Sequence, residues 1–435
     1  MTISPVSYLE RAILVGVKQK LPPQRVATGP GAEESLDELA ELVASAGAAV
    51  CDKILQSRER IDAATVVGRG KLEEIHARVA SLGANLLIFD YDLTPSQQRN
   101  IESTADCRVV DRTQVILDIF ARHARTREGQ LQVELAQLNY LLPRLSGRGI
   151  EMSRLGGGIG TRGPGETKLE MDRRRIRTRI STLEKTLEGV RDQRMRRRSR
   201  RAGIPVATVA LVGYTNAGKS TLFNRLTHAG VLVSSQMFAT LDPTLRVLEL
   251  PSHRRVVVSD TVGFIRNLPH TLIKAFRATL EEVSEASLLL LVADASAAYR
   301  EEKDEQVRRV LEEIGVLEKS ILRVWNKSDL LSDADKLTLR SGEGVLISAS
   351  SGEGIDDLLL AVDRALPIDP VERVRLRFLQ KQGKELSWVY ESGRVIGRKD
   401  RAGFISVDAE LPQSLVARLA KSKIPMEPLP AIAGS

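Results

Sequence analysis

Apolar positions in residues 1–111 follow two rhythms. Short unbroken runs at Ala12–Val17 and Asn85–Phe89 read as strands, whereas Glu33–Ala44, Lys71–Ser81 and Pro95–Thr104 carry helical spacing. Their alternation predicts a small N-terminal α/β domain over 1–111. From Arg112 the pattern changes. Leu131, Leu135, Leu138, Leu142 and Leu145 repeat at spacings of four and three, and the spacing returns at Ile176, Ile180, Leu183, Leu187 and Val190. Two such helices joined by a short loop predict an antiparallel hairpin over 112–200, with its tip loop at 147–165. Strand-like runs at Val206–Val212, Arg255–Ser259, Leu288–Ala293, Ile321–Trp325 and Val345–Ile347 mark a further domain over 201–368. In 369–435, Leu376–Phe378, Leu386–Tyr390 and Phe404–Val407 read as strands and Leu411–Ala420 as a helix, a small α+β piece. Trp388 and Tyr390 are assigned to its core rather than to stacking on bases.

The apolar fraction of 42% supports packed cores, and 435 residues accommodate several domains. Two cysteines, Cys51 and Cys107, and five scattered histidines predict neither a disulfide framework nor a metal cluster. Leu288–Ala293 falls far short of the roughly 20 residues that span a bilayer, and Met1–Pro5 lacks the blocks of a secretory signal. A cytoplasmic protein is the expectation, with a peripheral membrane-associated fraction left open. Charge adds more. Arg112–Arg200 holds 21 basic and 10 acidic residues, a net of +11 in a chain of +8, which leaves the rest at −3. The tip loop contributes eight glycines together with Arg148, Arg154 and Arg162. Glycines let backbone amides approach phosphates and arginines grip them in pairs, so Arg148, Arg154, Gly156, Gly157, Gly158, Arg162 and Lys168 are the candidate RNA contacts. A flexible linker is the alternative reading.

The central domain carries the chemistry. After the strand at 206–212 comes Gly213-Tyr214-Thr215-Asn216-Ala217-Gly218-Lys219-Ser220, followed by Thr221 and a helical pattern. This is the phosphate loop G-x-x-x-x-G-K-S in its strand–loop–helix setting. Lys219 is expected on the β- and γ-phosphates and Ser220 on Mg²⁺. Asp260-Thr261-Val262-Gly263 follows a strand; its carboxylate would hold Mg²⁺ through water and the Gly263 amide would meet the γ-phosphate. Asn326-Lys327-Ser328-Asp329 follows another strand, and the Asp329 carboxylate accepts from guanine N1–H and its amine, donors that adenine lacks there. Ser348-Ala349-Ser350 would contact the base. Four motifs in this order predict a P-loop GTPase domain with a mixed, mostly parallel sheet. Thr240 is the candidate switch residue for Mg²⁺ and the γ-phosphate, with Thr244 as competitor. Lys219, Thr240 and Gly263 are therefore the catalytic candidates. Phe264 stands where many GTPases carry a water-orienting glutamine, so slow intrinsic hydrolysis is expected. Asn216 makes K⁺ a candidate second cation.

Three stretches resemble the HflX family of GTPases. They are Gly68–Ile75 with Phe89–Gln98, then Val110–Thr113 through Arg144–Gly147, Arg154–Gly158 and Gly163-Pro-Gly-Glu-Thr-Lys168, and lastly the GTPase domain with Phe238–Pro243 and Asp260–Phe264. The resemblance covers roughly residues 10–370. It implies GTP and GDP as ligands and binding to the large ribosomal subunit and its rRNA through the glycine loop. It further implies splitting of stalled or idle 70S ribosomes. No DNA partner is expected, and the chain is taken as a monomer. A ribosome-assembly GTPase acting on immature subunits and a membrane or protein-partner signalling switch are the competing readings.

Overall fold

The structure is a computed structural model that describes residues 10–19, 31–145, 164–201, 207–228, 237–238, 243–266, 282–366, 371–401 and 403–429. The predicted Thr240, Arg148, Arg154, Gly156, Gly157, Gly158 and Arg162 lie outside these residues.

The N-terminal domain alternates strand and helix throughout: β1 Arg11–Gln19, α1 Ala32–Ser45, β2 Ala49–Arg58, α2 Arg69–Leu82, β3 Leu86–Phe89, α3 Pro95–Ala105, β4 Arg108–Asp111 and α4 Arg112–His123. The strands form a parallel sheet in the order β2-β1-β3-β4. Every side chain of β3 is buried, as expected of a strand covered on both faces. Local chemistry sets the ends of α3. Thr94 and Gln97 form a reciprocal capping box around Pro95. The helix α4, at the start of the stretch read as a hairpin, packs on this first sheet. Its Val115, Ile116, Ile119 and Phe120 share a core with Leu14 and Leu39.

Next come α5, Arg127–Arg144, and α6, Pro164–Arg201. Within α6 the backbone extends past Lys168, whose side chain is not among the described ones. Pro164 and Gly165, assigned above to the tip loop, are the first residues of α6, where proline is preorganised for a helix start. The two helices pack as a pair. Leu183 is buried and the other seam positions half-buried, while the Arg179 guanidinium forks onto Glu134 at 2.7 and 2.8 Å. That fork is exposed, so it sets alignment more than stability.

The third domain holds β5 Thr208–Gly213, α7 Lys219–Thr227, β6 Thr244–Glu249, β7 Arg255–Asp260, β8 Leu288–Asp294, α8 Arg300–Glu313, β9 Ile321–Asn326, α9 Asp333–Arg340, β10 Val345–Leu346 and α10 Ile355–Ala365. Its sheet runs β10-β9-β8-β5-β7-β6, parallel except for β6 against β7. A C-terminal domain follows, with β11 Val371–Leu379, α11 Gly383–Ser392, β12 Arg394–Arg401, β13 Phe404–Pro412, α12 Gln413–Lys421 and β14 Met426–Pro428, the strands antiparallel in the order β12-β13-β11-β14.

One expectation fails here. Leu386–Tyr390 is helical, within α11, and not a strand. Leu386 and Val389 lie one turn apart and meet the sheet together, a pairing that a short apolar run hides because it suits either element. Trp388 packs against the core under the Arg418 guanidinium, 3.4 Å from its ring centre. Tyr390 does not join it; the ring is 46% exposed.

The first and third domains share a single apolar core. Leu36, Ile116 and Phe120 are continuous with Val212, Tyr214, Met237, Phe238 and Phe264. Phe120 meets Phe238 edge to face at 4.6 Å between ring centres. The Ser45 hydroxyl accepts from the Met237 amide at 3.0 Å. Among the described residues no helix is long and apolar enough to cross a membrane.

Candidate nucleotide-binding site

The four motifs lie at the carboxyl ends of β5, β7, β9 and β10, the edge where parallel α/β sheets hold their ligands. Two glycines shape the phosphate loop. Gly218 sits at φ +88°, and a Cβ there would lie 2.2 Å from Asn326 Nδ2; one on Gly213 would lie 2.1 Å from the Val292 carbonyl oxygen. The loop ends at the first turn of α7, so the first-turn amides of Lys219, Ser220 and Thr221 and the helix dipole point at the phosphate position.

Lys219 is 6% exposed and donates to the Gly213 and Tyr214 carbonyls at 3.1 and 2.6 Å. Burial pushes its ammonium down to about 8, with the Asp260 carboxylate opposing that fall. Ser220 Oγ donates to Asp260 Oδ2 at 2.7 Å. A hydroxyl and a carboxylate this close are hard oxygen donors of the kind Mg²⁺ takes, so the residues present fit that ion. Thr261 Oγ1 donates to the Leu211 carbonyl at 2.6 Å and fastens the motif to β5. Gly263 lies against the loop, and a Cβ on it would meet Lys219 Nζ at 3.0 Å.

On the base side, Asn326 acts as a clamp. Its Nδ2 donates to the Ala217 carbonyl at 2.8 Å, and its Oδ1 accepts from the Ala349 amide at 2.9 Å. Lys327 pairs with Asp294 at 2.7 Å. Asp329, exposed on a single 3-10 turn, accepts from Ser348 Oγ at 2.5 Å, and Ser350 Oγ lies 2.9 Å from the same hydroxyl. The Ser348 hydroxyl holds the Asp329 carboxyl below the usual carboxylate range. It stays ionised and accepts only. Arg225 of α7 holds the turn from behind by donating to the Ala349 and Ser350 carbonyls.

The chain matches families described as GTP-binding GTPase N-terminal over 33–121, GTP-binding GTPase Middle Region over 123–201, 50S ribosome-binding GTPase over 208–327 and HflX C-terminal domain over 336–424. The GTPase HflX of Caldanaerobacter subterraneus is 47% identical over 410 residues, 94% of this chain and 93% of that one. The GTPase HflX of Escherichia coli is 47% identical over 376 residues, 83% and 88% of the two chains. The chain belongs to the HflX family of GTPases. A crystal structure of a GTP-binding protein from Sulfolobus solfataricus in complex with GDP is 25% identical, with 82% of this chain and 98% of that one aligned at a TM-score of 0.42.

In this HflX-family GTPase Phe264 does more than lack a polar tip. Its ring is buried in the shared core, while its amide donates to the Gly213 carbonyl at 3.0 Å and its carbonyl accepts from Thr215 at 2.7 Å. The backbone at 264 thus ties the two phosphate-side loops together. Asn216 is exposed in the phosphate loop, at φ +60°.

Sequence reasoning missed a buried polar cluster behind Tyr214. The Tyr214 hydroxyl donates to Glu38 Oε2 at 2.7 Å; Glu38 also binds Arg112, which reaches Asp90 at 2.7 Å. Arg112 is 4% exposed. Burial disfavours its charge, but Glu38 and Asp90 more than offset this and hold its pKa above the ordinary value. Removing one member of such a cluster costs about 3–5 kcal/mol, because a buried charge is left without its partner. The adjacent Asp111 accepts from Tyr140 and from Arg144 at the end of α5, both at 2.9 Å. The sequence showed Asp111-Arg112-Thr113 only as part of a resemblance; nothing local marks a charge for burial.

Proposed function

We propose that this GTPase binds the large (50S) ribosomal subunit and dissociates stalled or idle 70S ribosomes, with the glycine-rich tip between α5 and α6 contacting rRNA. The observation that carries the reading is the match of residues 208–327 to a family described as 50S ribosome-binding GTPase. The net charge of +11 over 112–200 supports it, as do the exposed Arg174, Arg175, Arg177 and Arg179 along α6. Phosphate contacts of this kind make binding steeply salt-dependent. The place of work is the cytoplasm.

Within the site, Lys219 neutralises the β- and γ-phosphates and Asp329 selects guanine. Gly263 reports the γ-phosphate through its amide. Ser220 would hold Mg²⁺ through its hydroxyl, Asp260 through water, with Thr240 closing from the switch; the bound ion supplies charge neutralisation on the phosphates. Asn216 helps hold K⁺ beside them. Exchanging K⁺ for Na⁺ is then expected to slow hydrolysis, and an unchanged rate would remove K⁺ from the scheme. With Phe264 buried, the attacking water has to be oriented by something other than that side chain, and the ribosome-bound state is where this occurs.

The test is GTP hydrolysis with and without purified large subunits in K⁺ buffer. Strong stimulation that disappears when Gly156–Gly158 are deleted is the expected result. No stimulation, together with no co-sedimentation on a sucrose gradient, would sink the ribosomal reading and point to a protein activator.

A further inference from the structure

Tyr214 stands with its two polar ends in different domains. Its carbonyl accepts from the phosphate-loop lysine at 2.6 Å, while its ring crosses to the N-terminal domain, where the hydroxyl donates to Glu38 at 2.7 Å. The same hydroxyl accepts from the Arg266 amide at 2.9 Å. That amide lies three residues past Gly263, so one oxygen holds both the phosphate loop and the segment carrying Gly263. Tyr214 is 9% exposed, and burial followed by the charge of Glu38 pushes its pKa up, which keeps the proton on the hydroxyl as a donor.

Glu38 is not free to choose its own position. Arg112 grips its other oxygen and is anchored in turn by Asp90, so α1, α4 and the loop after β3 together aim the carboxylate. Beside this contact the domains part around a cleft of ≈270 Å³ lined by Glu34, Glu38, Tyr214, Asn216, Arg266 and Lys303. Here the Tyr214–Glu38 hydrogen bond joins α1 to the phosphate loop at the margin of the apolar core that the two domains share.

We propose that Glu38 of the N-terminal domain is a positioning residue for the GTPase site, acting through the Tyr214 hydroxyl to hold Gly263 where it meets the γ-phosphate. The inference rests on the nucleotide-site reading above. GDP has no γ-phosphate and does not call on Gly263, so the effect falls on GTP. The N-terminal domain thereby distinguishes the two nucleotides without touching either.

Tyr214→Phe, Glu38→Ala and the double variant of the full chain test this, with affinities for GDP and a non-hydrolysable GTP analogue as readouts. Each single change is expected to weaken the analogue about fivefold or more, and Glu38→Ala, which lies outside the nucleotide site, is expected to leave GDP within about twofold. The double variant should be no weaker than the worse single, because both remove one path. Glu38→Gln, which keeps an acceptor for the tyrosine, should recover most of the loss. Equal losses for GDP and the analogue, or additive losses in the double variant, would overturn the proposal. Failure of the unmutated chain to bind GDP would overturn the nucleotide-site reading itself, which keeps the two failures apart.

Discussion

Asp329→Asn is expected to lose GTP and gain xanthosine triphosphate. The Asp329 carboxyl lies below its usual range because Ser348 donates to it, so near neutral pH it offers only acceptors to the base edge. Guanine presents two donors there and matches it. An asparagine offers one acceptor and one donating amide, which clashes with the guanine amine but complements the N1–H and the 2-oxo group of xanthine. Sites that lose such a polar match discriminate by about 10⁴-fold, so GTP affinity should fall on that order while the xanthine nucleotide rises to take its place. Asp329 is exposed, so thermal stability should move little, within about 0.5 kcal/mol. Competition titration against a fluorescent nucleotide decides the matter. GTP affinity staying near that of the unmutated chain would remove Asp329 from base recognition.

Lys219→Met should separate activity from stability. The methionine keeps an apolar stem and removes the ammonium. Loss of one preorganised charge on developing phosphate charge costs about 10²–10³ in rate, and kcat/KM for GTP should fall by at least that. Stability should respond in the other direction. Burial has pulled the lysine pKa down from 10.5 to about 8, so the folded chain binds the proton less readily than the unfolded one. The charge therefore opposes folding below about pH 8, and this penalty fades as pH rises through the interval from 8 to 10.5. Removing the charge offsets the two lost hydrogen bonds to Gly213 and Tyr214. The unfolding temperature at pH 7 without nucleotide should hold or rise. A marked fall would mean that the lysine is there to staple the loop, and its assignment to phosphate would lose its main support.

These effects concentrate where the sequence was most readable. Residues 213–220, 260–263, 326–329 and 348–350 each sit at a strand-to-loop junction, and short-range spacing carries such information. For the same reason the strand run at Ala12–Val17 falls within β1, and the run at Asn85–Phe89 matches β3 apart from its first residue. Ala49–Arg58 escaped notice because its residues are mostly half-buried and mixed in polarity, which blurs the two-residue alternation. Leu386–Tyr390 misled because five residues are too few to separate a strand from a buried helical turn. Contacts between distant segments were out of reach altogether. Glu38 and Tyr214 are 176 residues apart, and no window along the chain contains both. Arg112 looked like one more charge in a basic stretch, yet it is among the most buried polar side chains described.

The shared core also bears on how the chain can be divided. Cut away from the rest, residues 207–366 would lose the cover that the N-terminal domain gives Tyr214, Met237 and Phe238 and turn these side chains toward water. Apolar patches of that kind drive self-association, so an excised GTPase fragment should be poorly soluble even though its own sheet is complete. The N-terminal domain thus serves as a solubilising cover. A loss of activity in such a fragment would report aggregation as readily as any lost signal between domains.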